Sequence, residues 1–232
     1  MRLNKYISDH GLCSRREADH LISEGRVTIN GAVAGMGTQT RLEDEVCIDG
    51  EVVRPQLRGG KTVKIYIALN KPLGITCTTE QAVDGNIVDL IDHPQRIFPI
   101  GRLDKNSEGL ILLTSDGDVV NRILRAENHL EKEYLVVVDK PVTTDFLRKM
   151  GAGVFIHRTR TRPCQISRVN KFMFRIILIE GMNRQIRLMC ASFDFHVREL
   201  CRVRIGNVRL DHLRSGQWRN LTPAELRGLI PS

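Results

Sequence analysis

From residue 63 onward the chain is a succession of short aliphatic and β-branched runs: VKIYIALN, FPIGRL, GLILLTS, KEYLVVV, FRIILIE and VRELCRVRIGNVRL. Few segments between them have helical spacing. These are GNIVDLI, GDVVNRILRAE (through Val120, Ile123 and Leu124), TTDFLRKMGAG with a threonine cap, NRQIRLMCASF with Ile186, Met189, Cys190 and Phe193 on one face, and LTPAELRGLI. Strands outnumber helices and do not alternate with them. That excludes a doubly wound parallel sheet and predicts an α+β domain on a mixed, largely antiparallel sheet.

The first sixty residues read differently. LNKYISDHG and CSRREADHLISEG have helical spacing, with Ser14 and Glu17 at capping-box distance. RVTINGAVA and EVCIDGEVV alternate around Asn30-Gly31 and Asp49-Gly50, dipeptides suited to two-residue hairpin turns. PQLRGGKT, residues 55–62, has no periodicity and reads as a linker. The expected division is therefore a small module over 1–54, a linker over 55–62 and a larger domain over 63–232.

Several classes of function are disfavoured. The six cysteines contain no CxxC pair and the seven histidines no HxxxH spacing, so neither a disulfide framework nor a metal site is expected. No glycine-rich loop follows a strand; GAG at 151–153 and Gly59-Gly60-Lys61 each lack the rest of a phosphate-binding fingerprint, so no cofactor is expected. No apolar run approaches the ~18 residues of a membrane span, and the opening MRLNKYISDHG lacks the core of a signal peptide, so a cytoplasmic, membrane-free protein is expected.

The net charge of +8 points to a polyanionic partner. Residues 156–219 hold 14 basic and 4 acidic groups, against 8 and 9 in residues 1–60. Arg202 and Arg204 in that basic stretch are expected to touch the anionic groups of that partner. Arg15 and Arg16 open a helix where the macrodipole is already positive, a placement that suits phosphate binding, with Arg2 and Lys5 as neighbours. The opposing reading is a solvated helix end paired with Glu17 or Asp19. In FPIGRLDKNSEGLILLT, Asp104 read alone is a turn residue capping its own backbone.

The run RLNKYISDHGLCSRREADHLISEGRVTINGAVA resembles an S4 domain, an RNA-binding module. ALNKPLGITCTT, FPIGRLDKNSEGLILLT, KEYLVVV and IEGMNRQIRLMC together resemble the successive motifs of RsuA-type pseudouridine synthases, which carry such a module, and their texture is nearest to the RluF-like enzymes of large-subunit rRNA. The resemblance implies an isomerase that converts a uridine of RNA to pseudouridine without a cofactor. It implies that Asp104 is the catalytic carboxylate and Arg187 its guanidinium partner, and that Tyr134 stacks on the flipped uracil. Arg102, two residues before Asp104 and so expected on the same strand face, would fill the vacated space or grip a phosphate. Lys71, Gln185 and Ile186 are expected as further substrate contacts, with a structural role as the alternative for Lys71. The expected substrate is 23S rRNA, with tRNA as the alternative, and the expected state is a monomer. A non-catalytic RNA-binding assembly factor is the competing class.

Overall fold

The computed structural model describes residues 1–41, 43–54, 64–80, 82–124 and 129–230; the expected linker over 55–62 lies outside the described residues. The chain divides into two compact units, Met1–Val63 and Lys64–Ser232.

In the first unit, α1 (Leu3–Asp9) and α2 (Arg15–Ser23) precede β1 (Val27–Ile29), β2 (Ala32–Val33), β3 (Val46–Ile48) and β4 (Glu51–Val52), which pair in the order β2-β1-β3-β4. Ser14 and Glu17 form the reciprocal capping box that their spacing predicts. The β1–β2 and β3–β4 hairpins turn on Asn30-Gly31 and Asp49-Gly50, all four at positive φ, as a two-residue type I′ turn requires. Leu3, Tyr6, Ile7, Ala18, Ile22, Val27 and Val46 make a core of their own.

The second unit runs β5 (Tyr66–Lys71), α3 (Ile87–Ile91), β6 (Phe98–Ile100), β7 (Glu108–Thr114), α4 (Gly117–Leu124), β8 (Lys132–Val138), α5 (Thr144–Gly151), β9 (Phe155–Ile156), β10 (Thr159–Arg160), β11 (Gln165–Arg168), β12 (Met173–Leu178), α6 (Gln185–Ala191), β13 (Val197–Ile205), β14 (Val208–Arg209), β15 (Trp218–Asn220) and α7 (Pro223–Leu229). Its main sheet has the order β11-β12-β8-β13-β7-β5-β15, with β14 on β13 and β6 on β7. Of these pairings β13 with β7 is parallel and the rest antiparallel, the mixed, largely antiparallel sheet expected. Alternate residues of β5 and β7 face opposite cores. Ile67, Leu69, Ile111 and Leu113 pack with α3, α5 and α6, while Ala68, Leu110 and Leu112 pack with α4 and α7. Cover on both faces explains why these strands read as unbroken apolar runs.

The edge of β7 away from β5 is a seam shared by two strands. β13 pairs with β7 at Glu108 and Gly109, and β6 takes the same side of β7 from Leu112 to Thr114. The β9–β10 hairpin and the edge strand β15 were not read from the sequence, because strands of two or three residues are legible only beside a hairpin dipeptide such as Asn-Gly, and neither has one.

Helix α7 starts with a second capping box, Thr222 with Glu225, and proline in its first turn. Glu225 also grips Arg219 at 2.7 Å, and that hydrogen bond, opposed by burial, takes its carboxyl from an ordinary 4.5 down to about 2. A folded-state pKa below the unfolded one stabilises above the unfolded value and is lost as pH falls through the folded one. Glu225→Gln should therefore lower the urea midpoint at neutral pH and converge with the parent between about pH 4.5 and 2; parallel curves down to about pH 2 would contradict the assignment.

Candidate active site

Asp104 lies in the segment between β6 and β7, beyond Gly101, whose φ of +79° ends β6. Arg102 and Asp104 therefore do not share a strand face as the sequence led us to expect; both nonetheless line one cleft. Asp104 opens a four-residue turn closed by the Ser107 N–H donating to its carbonyl at 3.0 Å, so it is a turn residue whose carboxylate is left over for another use.

That turn is held along its length. The Lys105 carbonyl accepts from the Gly74 N–H at 2.9 Å and from Lys71 Nζ at 3.5 Å. The Asn106 carbonyl accepts from Arg187 Nη2 at 2.6 Å, and the same nitrogen reaches Ser107 Oγ at 3.3 Å. Upstream, Leu103 is buried and donates its N–H to Cys77 Sγ at 3.4 Å. A carboxylate on a turn so pinned keeps its direction, the condition for low reorganisation during reaction.

Lys71 is fully buried, with Nζ donating also to the Pro72 and Ile75 carbonyls at 2.8 and 2.9 Å. It cannot contact substrate as expected: burial pulls the ammonium's pKa down, and carbonyls satisfy it from inside. Arg187 also differs from expectation. Its Nη1 donates to the Val197 carbonyl at 3.2 Å and its Nη2 to the turn, which makes it a brace between β13 and the Asp104 segment. Burial first, then the neighbouring Arg184, push its pKa down, while the Asp104 carboxylate pulls it up. The guanidinium at ion-pair distance from Asp104 is that of Arg184, Nη1 to Oδ2 at 4.0 Å. Arg184 precedes α6 at φ +51°, a left-handed conformation that turns the chain into the helix.

The cleft has a volume of about 680 Å3 and draws its walls from both sides of the seam: Ile100 and Leu112 from β6 and β7, Leu200, Arg202 and Ile205 from β13, Lys132 and Tyr134 from β8. Lys132 and Tyr134 share a face because they are two apart on a strand. Tyr134 is 9% exposed, and the Arg202 guanidinium, from its cross-strand partner, lies 6.0 Å from the ring centroid. Ile186 is buried and also lines the cleft. Gln185 lines it too, but its amide is already committed. Oε1 accepts the Met182 N–H at 3.0 Å, and Nε2 donates to Glu180 at 2.6 Å, so it shapes the 180–185 loop rather than meeting substrate as expected.

Arg202 and Arg204 are not the phosphate contacts their sequence setting suggested. Arg202 is 4% exposed and donates Nε to the Leu110 carbonyl at 2.7 Å. Arg204 is spread over Glu133, Glu131 and the Gly206 carbonyl at 2.8, 2.9 and 2.8 Å. Both hold the sheet together from within. In the first unit Arg2, Arg15 and Arg16 are exposed and Lys5 is half-buried. Sequence reasoning missed Lys132 and Arg184 as cleft residues. For Lys132 the signal was available in its alternation with Tyr134; for Arg184, which meets a loop some eighty residues away, none was.

Among the described residues no three His, Cys, Asp or Glu side chains gather as a metal site would need, and no helix is long and apolar enough to cross a membrane.

Comparison with known proteins gives the cleft a context. The model of the RNA pseudouridylate synthase family matches residues 65–192 and that of the S4 domain residues 1–46. The chain is 52% identical over 230 residues to the dual-specificity RNA pseudouridine synthase RluF of Escherichia coli (strain K12), covering 99% of this chain and 78% of that protein. It is 31% identical over 237 residues to the ribosomal large subunit pseudouridine synthase B of Bacillus subtilis (strain 168), covering 98% and 95%. A crystal structure of a pseudouridylate synthase superposes with a TM-score of 0.71 at 31% identity, over 99% of this chain and 100% of that one.

Proposed function

The chain belongs to the RNA pseudouridylate synthase family and carries an S4 domain, and from that premise we propose that Asp104 is the carboxylate that drives conversion of one uridine of 23S rRNA to pseudouridine. The observation that carries this reading is the placement of Asp104 on an immobilised turn in the same cleft as Tyr134.

The reaction balances on the substrate's own atoms. The N1–C1′ bond breaks, a C5–C1′ bond forms, the C5 proton leaves and N1 gains a proton. No oxidant or external group is required. Attack at C1′, addition at C6 and proton removal toward a glycal all use the same carboxylate, beside which the Arg184 guanidinium lies at 4.0 Å. Extruding the uridine costs about a few kcal/mol, which stacking on Tyr134 against the apolar wall of Ile186 offsets. Arg102, exposed on the cleft's rim, is the side chain able to occupy the gap in the RNA. The cleft's inward cations, Lys132 and Arg202, surround the uracil with positive potential as negative charge develops on it.

In this reading the S4 unit grips RNA backbone through Arg2, Lys5, Arg15 and Arg16, and the protein works as a cytoplasmic monomer. Converting both Arg15 and Arg16 to Ala should raise KM several-fold with kcat nearly constant, and reduce the slope of log affinity against log salt by about 2. An unchanged salt slope would remove these residues from the interface. The target is tested by mapping pseudouridines in total RNA from cells with and without the gene. Loss of a 23S rRNA pseudouridine is expected; loss confined to tRNA would overturn the rRNA assignment.

A further inference from the structure

The β9–β10 hairpin combines three features. Phe155 is 69% exposed while its neighbour Ile156, at 6%, is in the core. Its turn is His157-Arg158, at φ +47° and +63°, where the chain's own Asn30-Gly31 and Asp49-Gly50 turns use residues suited to that backbone. Arg158 stands where those two turns have glycine, so the left-handed backbone is more strained here. Third, the exposed surface here is basic: Arg158, Arg160 and Arg162 all face solvent.

The geometry fits these features together. Phe155 and Arg160 are direct cross-strand partners, so ring and guanidinium emerge from the same face of the hairpin. The hairpin is fastened to the cleft's rim, with His157 Nε2 against the Asn183 carbonyl at 2.9 Å and the Arg162 N–H on Glu180 at 3.1 Å; Asn183 and Glu180 both line the cleft.

We propose that this hairpin is a docking platform for one unpaired nucleotide of the RNA strand adjoining the target uridine, its base stacked on Phe155 and its flanking phosphates held by Arg158 and Arg160. The inference rests on the RNA substrate proposed above. An aromatic face beside fixed cations is the chemistry that holds single-stranded nucleic acid without reading its sequence. It also gives the strained turn a use: glycine at 158 would relax the backbone and remove a phosphate contact.

The test uses the full chain carrying Asp104→Asn, so that binding is read apart from turnover, titrated with a fluorescein-labelled oligouridylate of about 12 nucleotides, within the span that single-strand binding folds cover. Adding Phe155→Ala is expected to raise Kd about ten-fold, Phe155→Leu to do the same, and Phe155→Trp to restore binding. Arg158→Gly is expected to flatten the salt slope by about 0.7 without lowering the thermal midpoint. Affinity unchanged in Phe155→Ala, or retained in Phe155→Leu, overturns the proposal. Variants that bind the oligonucleotide like the parent yet no longer associate with ribosomal particles also overturn it, since the face would then receive a protein. Absence of pseudouridine after the unsubstituted enzyme meets a 23S rRNA transcript would strike the functional reading instead.

Discussion

Replacing Asp104 by Asn should reduce pseudouridine formation by at least about 10^4-fold while RNA affinity stays within roughly two-fold, because removing the reactive group of a catalytic unit abolishes nearly all of its chemistry. The expectation is sharp because the scaffold does not depend on the carboxylate. The turn closes through the Asp104 carbonyl and the Ser107 N–H, and Lys71, Gly74 and Arg187 hold the following carbonyls. Asparagine keeps the shape and removes the charge. Single-turnover assays on a 23S rRNA transcript, with filter binding in parallel, measure the two quantities separately. Turnover within about ten-fold of the parent would remove Asp104 from the chemistry, and the proposed mechanism with it.

Gly109→Ala should strongly destabilise the second unit. Gly109 is the β7 residue opposite Arg202 across the parallel pairing, at φ +100°. A Cβ there would lie 2.4 Å from the Arg202 carbonyl oxygen, 2.7 Å from its nitrogen and 2.9 Å from Cys201 Sγ. Backbone atoms in mid-strand cannot step aside, so steric overlap adds to the conformational strain, for about 3–5 kcal/mol in all. That should lower the calorimetric midpoint by about 10 °C. Activity should fall further than stability requires at a permissive temperature, because spreading this seam displaces Arg202 from the ring of Tyr134. A midpoint within about 3 °C of the parent would show that β7 and β13 are not held as tightly as the structure places them.

Much of the architecture was legible in advance because it is locally encoded. Ser14 with Glu17 and Thr222 with Glu225 settle two helix starts within four residues each. Asn30-Gly31 and Asp49-Gly50 settle two hairpins within two. Tyr134 was expected on a strand, and β8 is one. The cleft residues Asp104, Tyr134 and Arg102 were named from motifs that travel together, and the structure brings those three to one cavity.

The fates of the cations were not legible. Arg202, Arg204 and Lys71 carry the same charge as Arg15 or Arg16, and a residue's type says nothing about whether its charge will face solvent or a ring of internal acceptors. Arg187 braces a carbonyl 81 residues away, and Arg204 meets glutamates more than 70 residues before it. Short-range patterns by themselves determined most of this protein's helices and its glycine-containing hairpin turns, because a cap or an alternation is complete within a few residues, whereas the residues competent for chemistry were named from the family resemblance. Only the tertiary structure decided which guanidinium meets Asp104 and which cations become struts, because those outcomes depend on strands paired across most of the second unit and on the desolvation that the pairing imposes.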